Sequence, residues 1–499
     1  MSPQIIDIPV DGFELAKNAA LLLLFFISAS FAFLGLCAKL YRREDHLGLL
    51  AGISATAGPM LLAWVLAILL IALPGREPAI YLAVLALIFG VGGLFGAVTC
   101  GPSLAKAIVD YAISTACRPL ILAGVVAVGL VLAWIAFQQV AVAAFQPVYS
   151  NDPLEYLTAA RLVAENSDLN RYPFLDGSAT GGFLSPWTHP PSFITLNVLA
   201  FWLQGSADLS GAARFISTYF VAAQALALCV FVDKGRRLAG PLASAIMVAT
   251  PVYFLLSMQA HIDSMRIAAF TAAAAAVWLA ARRLTSGGAV IAGLTVGMAH
   301  FSHSIGFLTL GFLAPLFFIT AQGGLARRAG VAAVFGLLGG ALVAPFALKN
   351  MEAYGALAQD MGLVWSYPEI RFDESLAVER GIATLSDKLL YGALQPLTKP
   401  ELFGFAAAAL AIAALVSALR VGRRRLFQLV RDAEFRASAV FTSLALVGGF
   451  FAFLTITIAA GTDLAIKNAR YVLTIQPFIA LALAHLLTAP LEGQKAGNA

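Results

Sequence analysis

The chain has 499 residues, of which 60% are hydrophobic and 12% charged, with a mean hydropathy of +0.86. An ordinary soluble domain carries roughly a quarter charged residues, so this composition excludes a soluble globular protein. The net charge of +5 and pI near 9.0 bear on membrane orientation rather than on nucleic acid, and no nucleic-acid partner is expected.

A membrane-spanning helix needs about 20 apolar residues. Taken in chain order, the apolar runs predict helices near 18–38, 48–73, 79–99, 119–145, 211–232, 239–257, 267–281, 288–301, 304–321, 329–347, 402–419, 438–460 and 472–489. The expected fold is therefore all-α and polytopic, with thirteen spans. Asp7, Asp11 and Glu14, with only Lys17, precede the first run, the reverse of a signal peptide's basic start, so that helix is expected to stay in the mature protein. Residues Ser192 to Leu203 are apolar but too short to cross, and are read as interfacial or re-entrant. Cys37, Cys100, Cys117 and Cys229 have no paired spacing and read as reduced packing residues.

Cytoplasmic loops carry an excess of Lys and Arg. With thirteen spans and the N-terminus outside, one face holds 19 basic and 7 acidic residues, among them Arg236/Arg237, Arg282/Arg283, Arg327/Arg328 and the Arg420 to Arg436 cluster. The other face holds 13 basic and 20 acidic residues. The first face is the cytoplasm and the second carries two long polar loops, 147–210 and 348–401. Counting Ser192 to Leu203 as a span would put every later basic doublet outside, so the charge pattern rejects it.

No P-loop and no Gly-x-Gly-x-x-Gly after a strand occurs, so a donor group must come from elsewhere. The first outer loop opens Tyr149-Ser-Asn-Asp152-Pro153-Leu-Glu155-Tyr156 and continues to Arg161. Two readings stand there. Asp152, Pro153 and Glu155 have the spacing of a helix capping box; alternatively, a carboxylate at the membrane surface serves as general base towards an acceptor hydroxyl or amine. Further on, His189-Pro190-Pro191 leads into the short apolar segment, and its prolines force an extended approach. His261, Asp263 and Arg266 share an outer turn, where a structural Asp263–Arg266 pair explains them as well as function does. Trp365, Tyr367 and Glu369 in the second loop would line an acceptor groove, and Asp373 to Leu394 has the mixed pattern of a surface-lying amphipathic helix.

In their order, these motifs resemble the GT-C superfamily of membrane glycosyltransferases, nearest its protein mannosyltransferase and aminoarabinose transferase branch (glycosyltransferase families 39 and 83). The likeness covers about residues 130–490: Asp152 with Tyr156 and Ala160-Arg161, His189-Pro190-Pro191, Ala212-Ala213-Arg214, Thr250-Pro251 with Asp263 beyond, Ala299-His300 to His303, Lys349-Asn350 with Tyr354-Gly355, and Arg470-Tyr471. Two departures are plain. Pro153 stands where the family often has a second acidic residue, and three extra helices precede the one feeding the loop.

The resemblance implies a 1–115 three-helix membrane extension, a 116–490 catalytic membrane module and a 491–499 cytoplasmic tail. It implies inverting transfer of a sugar from a polyprenyl-phosphate donor to an envelope acceptor (lipid A, a glycan, a lipid or a protein) on the periplasmic side of a bacterial inner membrane. The residue roles that follow are Asp152 and Glu155 in catalysis, with Asp152 as base. Lys349, Arg470, His303, Arg266 and Lys467 fall to the donor phosphate, and Tyr156, Arg161, His189, Asp263 and Tyr354 to substrate. Snorkelling of each basic residue to headgroups is the competing account, and Lys349 and Arg470 stand out because outer-face cations oppose the topological bias. No cofactor is expected, and a divalent metal stays open. Partners are the lipid-linked donor, the acceptor and membrane lipids. The rivals are a transporter or flippase, which predicts discontinuous helices, midplane charges and a repeat, and an O-antigen polymerase or ligase centred on a late loop.

Overall fold

The computed structural model describes residues 11–41, 46–145, 151–172, 189–208, 210–233, 235–303, 306, 308–354, 384–421, 428, 431–459 and 469–492. Among these the regular elements are all helical. They are α1 (Gly12–Tyr41), α2 (Leu47–Ala72), α3 (Pro78–Ala116), α4 (Pro119–Phe145), α5 (Asn151–Asn166), α6 (Ser192–Gln204), α7 (Phe215–Val230), α8 (Ala239–Val248), α9 (Pro251–Ser257), α10 (Ile262–Arg282), α11 (Ser286–Ser302), α12 (Leu308–Thr320), α13 (Leu325–Tyr354), α14 (Leu385–Tyr391), α15 (Ala406–Val421), α16 (Ala439–Ala459) and α17 (Gln476–Glu492). The protein is an all-α polytopic membrane protein.

Each of the thirteen expected segments is helical, but the count of spans needs correction. Among the described residues nine helices are long and apolar enough to cross a membrane, or ten when α8 and α9, bent by 73°, count as one. The reason is length: α11, α12 and α15 have 17, 13 and 16 residues, and at 1.5 Å per residue the shortest covers about 20 Å of a hydrocarbon layer about 30 Å deep. The break between α8 and α9 falls at Thr250-Pro251, where the proline cannot continue the helix before it. The Ser192–Leu203 segment is the helix α6, with Ser192 to Phe201 all buried, so it packs inside the protein. It stops at Gly205, whose φ of +74° is the left-handed cap that glycine takes without strain.

Helix α10 is the axis. Ile262 to Ala281 are all buried, and its alanine run lets neighbouring helices come close. Its 21 residues separate two ends by about 30 Å. At one end lie the basic doublets: Trp278 Nε1 donates to the Ala437 carbonyl (2.9 Å), Arg327 Nε to that of Leu284 (3.0 Å), and the Asp233 carboxylate accepts from Ala439 N (2.9 Å). The other end holds α5, the start of α6 and the C-terminus of α13, where Lys349 Nζ donates to the Leu169 carbonyl (2.9 Å).

The three N-terminal helices pack on this body. Trp64 Nε1 on α2 donates to the Leu342 carbonyl (2.7 Å), and Tyr219 Oη on α7 to the Ala55 carbonyl (2.8 Å). Gly96 lets α3 lie against α1, since a Cβ there would stand 1.9 Å from the Phe31 carbonyl oxygen. All four cysteines are free. Trp365, Tyr367, Glu369, Lys467 and the first half of the Asp373–Leu394 stretch lie outside the described residues, while its second half carries the short helix α14.

Candidate active site

The site is built at the N-terminus of α10. His261 is extended (φ −113°, ψ 133°) and accepts through Nδ1 from Asp263 N at 3.3 Å. Asp263 occupies the first turn, where the helix dipole favours a carboxylate, and is 1% exposed. Arg266, three residues on and 3% exposed, meets Asp263 Oδ1 through Nη2 at 2.6 Å and Nε at 2.8 Å. Its remaining donors reach the segment ahead of α17: Nη1 to Thr474 Oγ1 (2.5 Å) and Nη2 to the Arg470 carbonyl (2.9 Å). Arg266 therefore fixes the backbone that carries Arg470.

From that anchored backbone the Arg470 side chain, 24% exposed, turns to α5 and pairs with Asp152 Oδ2. Arg470 Nη1 lies 2.8 Å from His261 Nε2, and Arg470 Nε 3.7 Å from Asp263 Oδ2. His261 closes the ring, its Nδ1 3.1 Å from Asp263 Oδ2 and its Nε2 3.5 Å from Asp152 Oδ2. Burial alone would lower the His261 pKa, but Asp263 and Asp152 outweigh it and raise it. Two carboxylates, Asp152 and Asp263, and two guanidiniums, Arg266 and Arg470, balance in this cluster around the His261 ring.

Asp152 is the second residue of α5 rather than the residue before it, which corrects the N-cap reading. Burial pushes its carboxyl up, but hydrogen bonding to His261 and the charge of Arg470 hold it well below the usual carboxylate range. Glu155, one turn further on, is instead raised to about 7 by its burial and by Asp152, with Arg470 opposing.

Tyr156 is 6% exposed, its ring 6.0 Å from His261 and 5.9 Å from His189. Tyr172 Oη donates to the His189 carbonyl. The rings of His189 and His303 lie 4.0 Å apart, and both groups are buried. Burial, with Arg470 adding to it, lowers His189 to about 3. Burial, with His189 next, holds His303 well below the usual histidine range. Desolvation thus disfavours the charged form of His303, which a role at the donor phosphate would have to offset.

Asp152, Glu155, Tyr156, His189, Asp263, Arg266, His303 and Arg470 thus gather at one end of the protein. Arg161 turns away, paired with Glu165 (2.7 Å) and Asp208 (3.1 Å). Lys349 lines a small crevice with Tyr172, His189, Pro190 and Phe346. Tyr354 is the last residue of α13, and Lys467 lies outside the described residues. His261, noted in the sequence only as a neighbour of Asp263, is the hub of the cluster, and Thr474 was not singled out. The one signal for His261 was its position two residues before a buried Asp at a helix start. Among the described residues no three His, Cys, Asp or Glu side chains converge as metal ligands would.

No family model and no curated protein matches the chain. Among solved structures it is similar to the oligosaccharyltransferase of Archaeoglobus fulgidus, crystallised with zinc and sulfate, at 18% identity and a TM-score of 0.45 over 72% of this chain and 49% of that one. The chain spans about half the length of that structure.

Proposed function

We propose that the protein is a membrane glycosyltransferase of the GT-C type that moves a sugar from a polyprenyl-phosphate donor to an envelope acceptor, with inversion at the anomeric carbon. The site faces the extracytoplasmic side of a bacterial inner membrane, with the N-terminus outside and the C-terminus in the cytoplasm. One observation carries the reading. Arg470, from the segment ahead of the last helix, pairs with Asp152 near the start of α5, so a partly exposed guanidinium and acidic side chains meet at one end of the helix bundle.

The chemistry asks for this combination. A lipid phosphate is already a leaving group, so the enzyme must stabilise the charge it gains and activate the acceptor. Arg470, backed by His261 and Arg266, meets the first need, and the carboxylates on α5 meet the second. Lys349, one crevice wall away through His189, extends positive charge along the same end. The excess of basic doublets at the other end supports placing this end outside.

The 73° bend between α8 and α9 is a feature that favours a transporter. Against it, the buried ion pairs sit at the end of α10, not halfway along it.

The test is mass spectrometry of envelope glycans and glycolipids from cells with the gene, without it, and complemented by Arg470→Ala. A sugar missing in the deletion and in the Arg470→Ala strain, but restored by wild type, names the product. Identical glycan profiles in all strains would sink glycosyl transfer and favour transport.

A further inference from the structure

We propose that Glu155, not Asp152, is the group that takes the acceptor's proton, and that Asp152 serves to hold Arg470 and His261 in place. The assignment rests on the glycosyl-transfer reading above and says which carboxylate performs its central step.

The two acids stand three residues apart on α5 and so share one helix face. Their surroundings are opposite. Asp152 Oδ2 is engaged by Arg470 and by His261, and a proton arriving there would have to displace a guanidinium and an imidazole. Among the described residues Glu155 takes part in no hydrogen bond or ion pair, although its side chain is half-buried. Its electrons are therefore available to a new donor. The charged groups that face it are Asp152 on its own helix and Arg470 from the segment before α17. Burial and Asp152 bring Glu155 up to about 7, which is where a general base works best at neutral pH, while Asp152 is held far below it. An acid at a helix start is also simply favoured by the dipole, but that role would give no proton uptake near neutrality and no dependence of the reaction on it.

The step balances as follows. The acceptor's O–H or N–H proton passes to the Glu155 carboxylate as the acceptor's lone pair forms the bond to the sugar's anomeric carbon. The bond from that carbon to the phosphate oxygen breaks, and its electron pair leaves with the lipid phosphate, whose added negative charge faces Arg470. Water then removes the proton from Glu155.

The experiment uses the full chain in lipid nanodiscs, offered a panel of polyprenyl-phosphate hexoses and pentoses with total envelope lipid as acceptor, from pH 5 to pH 9. The expected wild-type kcat/KM rises with pH through about 7 and then levels. Glu155→Gln loses roughly a hundredfold and the rising limb with it, and added formate restores part of the rate to Glu155→Ala by supplying a small carboxylate. Asp152→Asn is slowed but keeps the limb. A limb that survives in Glu155→Gln and vanishes in Asp152→Asn moves the base to Asp152. Failure of formate to raise the Glu155→Ala rate likewise overturns the proposal. A wild-type protein that transfers no sugar of the panel overturns glycosyl transfer itself, a result distinct from either of these.

Discussion

Arg470 and Asp152, 318 positions apart in the chain, meet in one ion pair that ties the segment before the last helix to α5. Because the two act as a unit, their substitutions should not add. Arg470→Ala and Asp152→Asn are each expected to slow transfer by about a hundredfold, with the double variant short of the product by 0.5–3 kcal/mol, the usual range for contacting residues. Arg470→Lys should recover only part, since a lysine cannot present the planar fork to two partners. Rates for the four proteins of the cycle check this, and strictly additive losses would separate the two residues.

Asp263 and Arg266 form the buried pair beneath them, 1% and 3% exposed. Removing one partner leaves a buried charge uncompensated, so Asp263→Ala should cost about 3–5 kcal/mol of stability. Thermal unfolding in detergent reads it. A variant as stable as wild type would show that Arg266 finds other compensation through Thr474 and the Arg470 carbonyl.

Glu155 makes a prediction about stability with a definite sign. Its folded value of about 7 lies above the ordinary glutamate range, so folding disfavours its charged form. The cost is absent below about pH 4, where the unfolded group is also protonated, grows as pH rises, and is complete above pH 7. Glu155→Gln removes it, and should raise the melting temperature at pH 8 by about 1–2 °C while leaving it unchanged at pH 4. An equal shift at both pH values would point to packing instead.

Orientation is testable at exposed positions near the two ends of the bundle. In a background with Cys117→Ser, a membrane-impermeant thiol reagent applied outside should modify Arg76→Cys and Glu165→Cys but not Gln322→Cys or Glu434→Cys, all four being exposed. The reverse pattern would invert the protein in the membrane.

The helices were legible because a bilayer demands continuous apolar runs, and each run became a helix. Their lengths were not: the 239–257 run reads as one span, yet forms two helices, α8 and α9, bent by 73° at Thr250-Pro251. The motifs that meet, around Asp152, His189, Asp263 and Arg470, were each visible as polar residues at outer helix ends. Which of them touch was invisible, because the Arg470–Asp152 contact depends on Arg266 anchoring a backbone 204 residues away. The neighbour of His303 was equally hidden, since its ring lies 4.0 Å from that of His189, more than a hundred residues earlier in the chain.

Helix α3 runs 39 residues, with a π-helical turn at Ala86–Gly90 and Pro102 further along, about 58 Å at 1.5 Å per residue and nearly twice the depth of the hydrocarbon layer. It is pinned near both ends: Tyr81 Oη donates to the Leu73 carbonyl and lies 3.3 Å from that of Ser167, just past α5, while Tyr111 Oη donates to the Arg237 carbonyl at 2.8 Å. A helix this much longer than the hydrocarbon layer is accommodated by tilting or by protruding from it. Through its two clamps α3 ties the stretch just past the helix that carries Asp152 and Glu155 to the Arg237 backbone at the far end of the bundle.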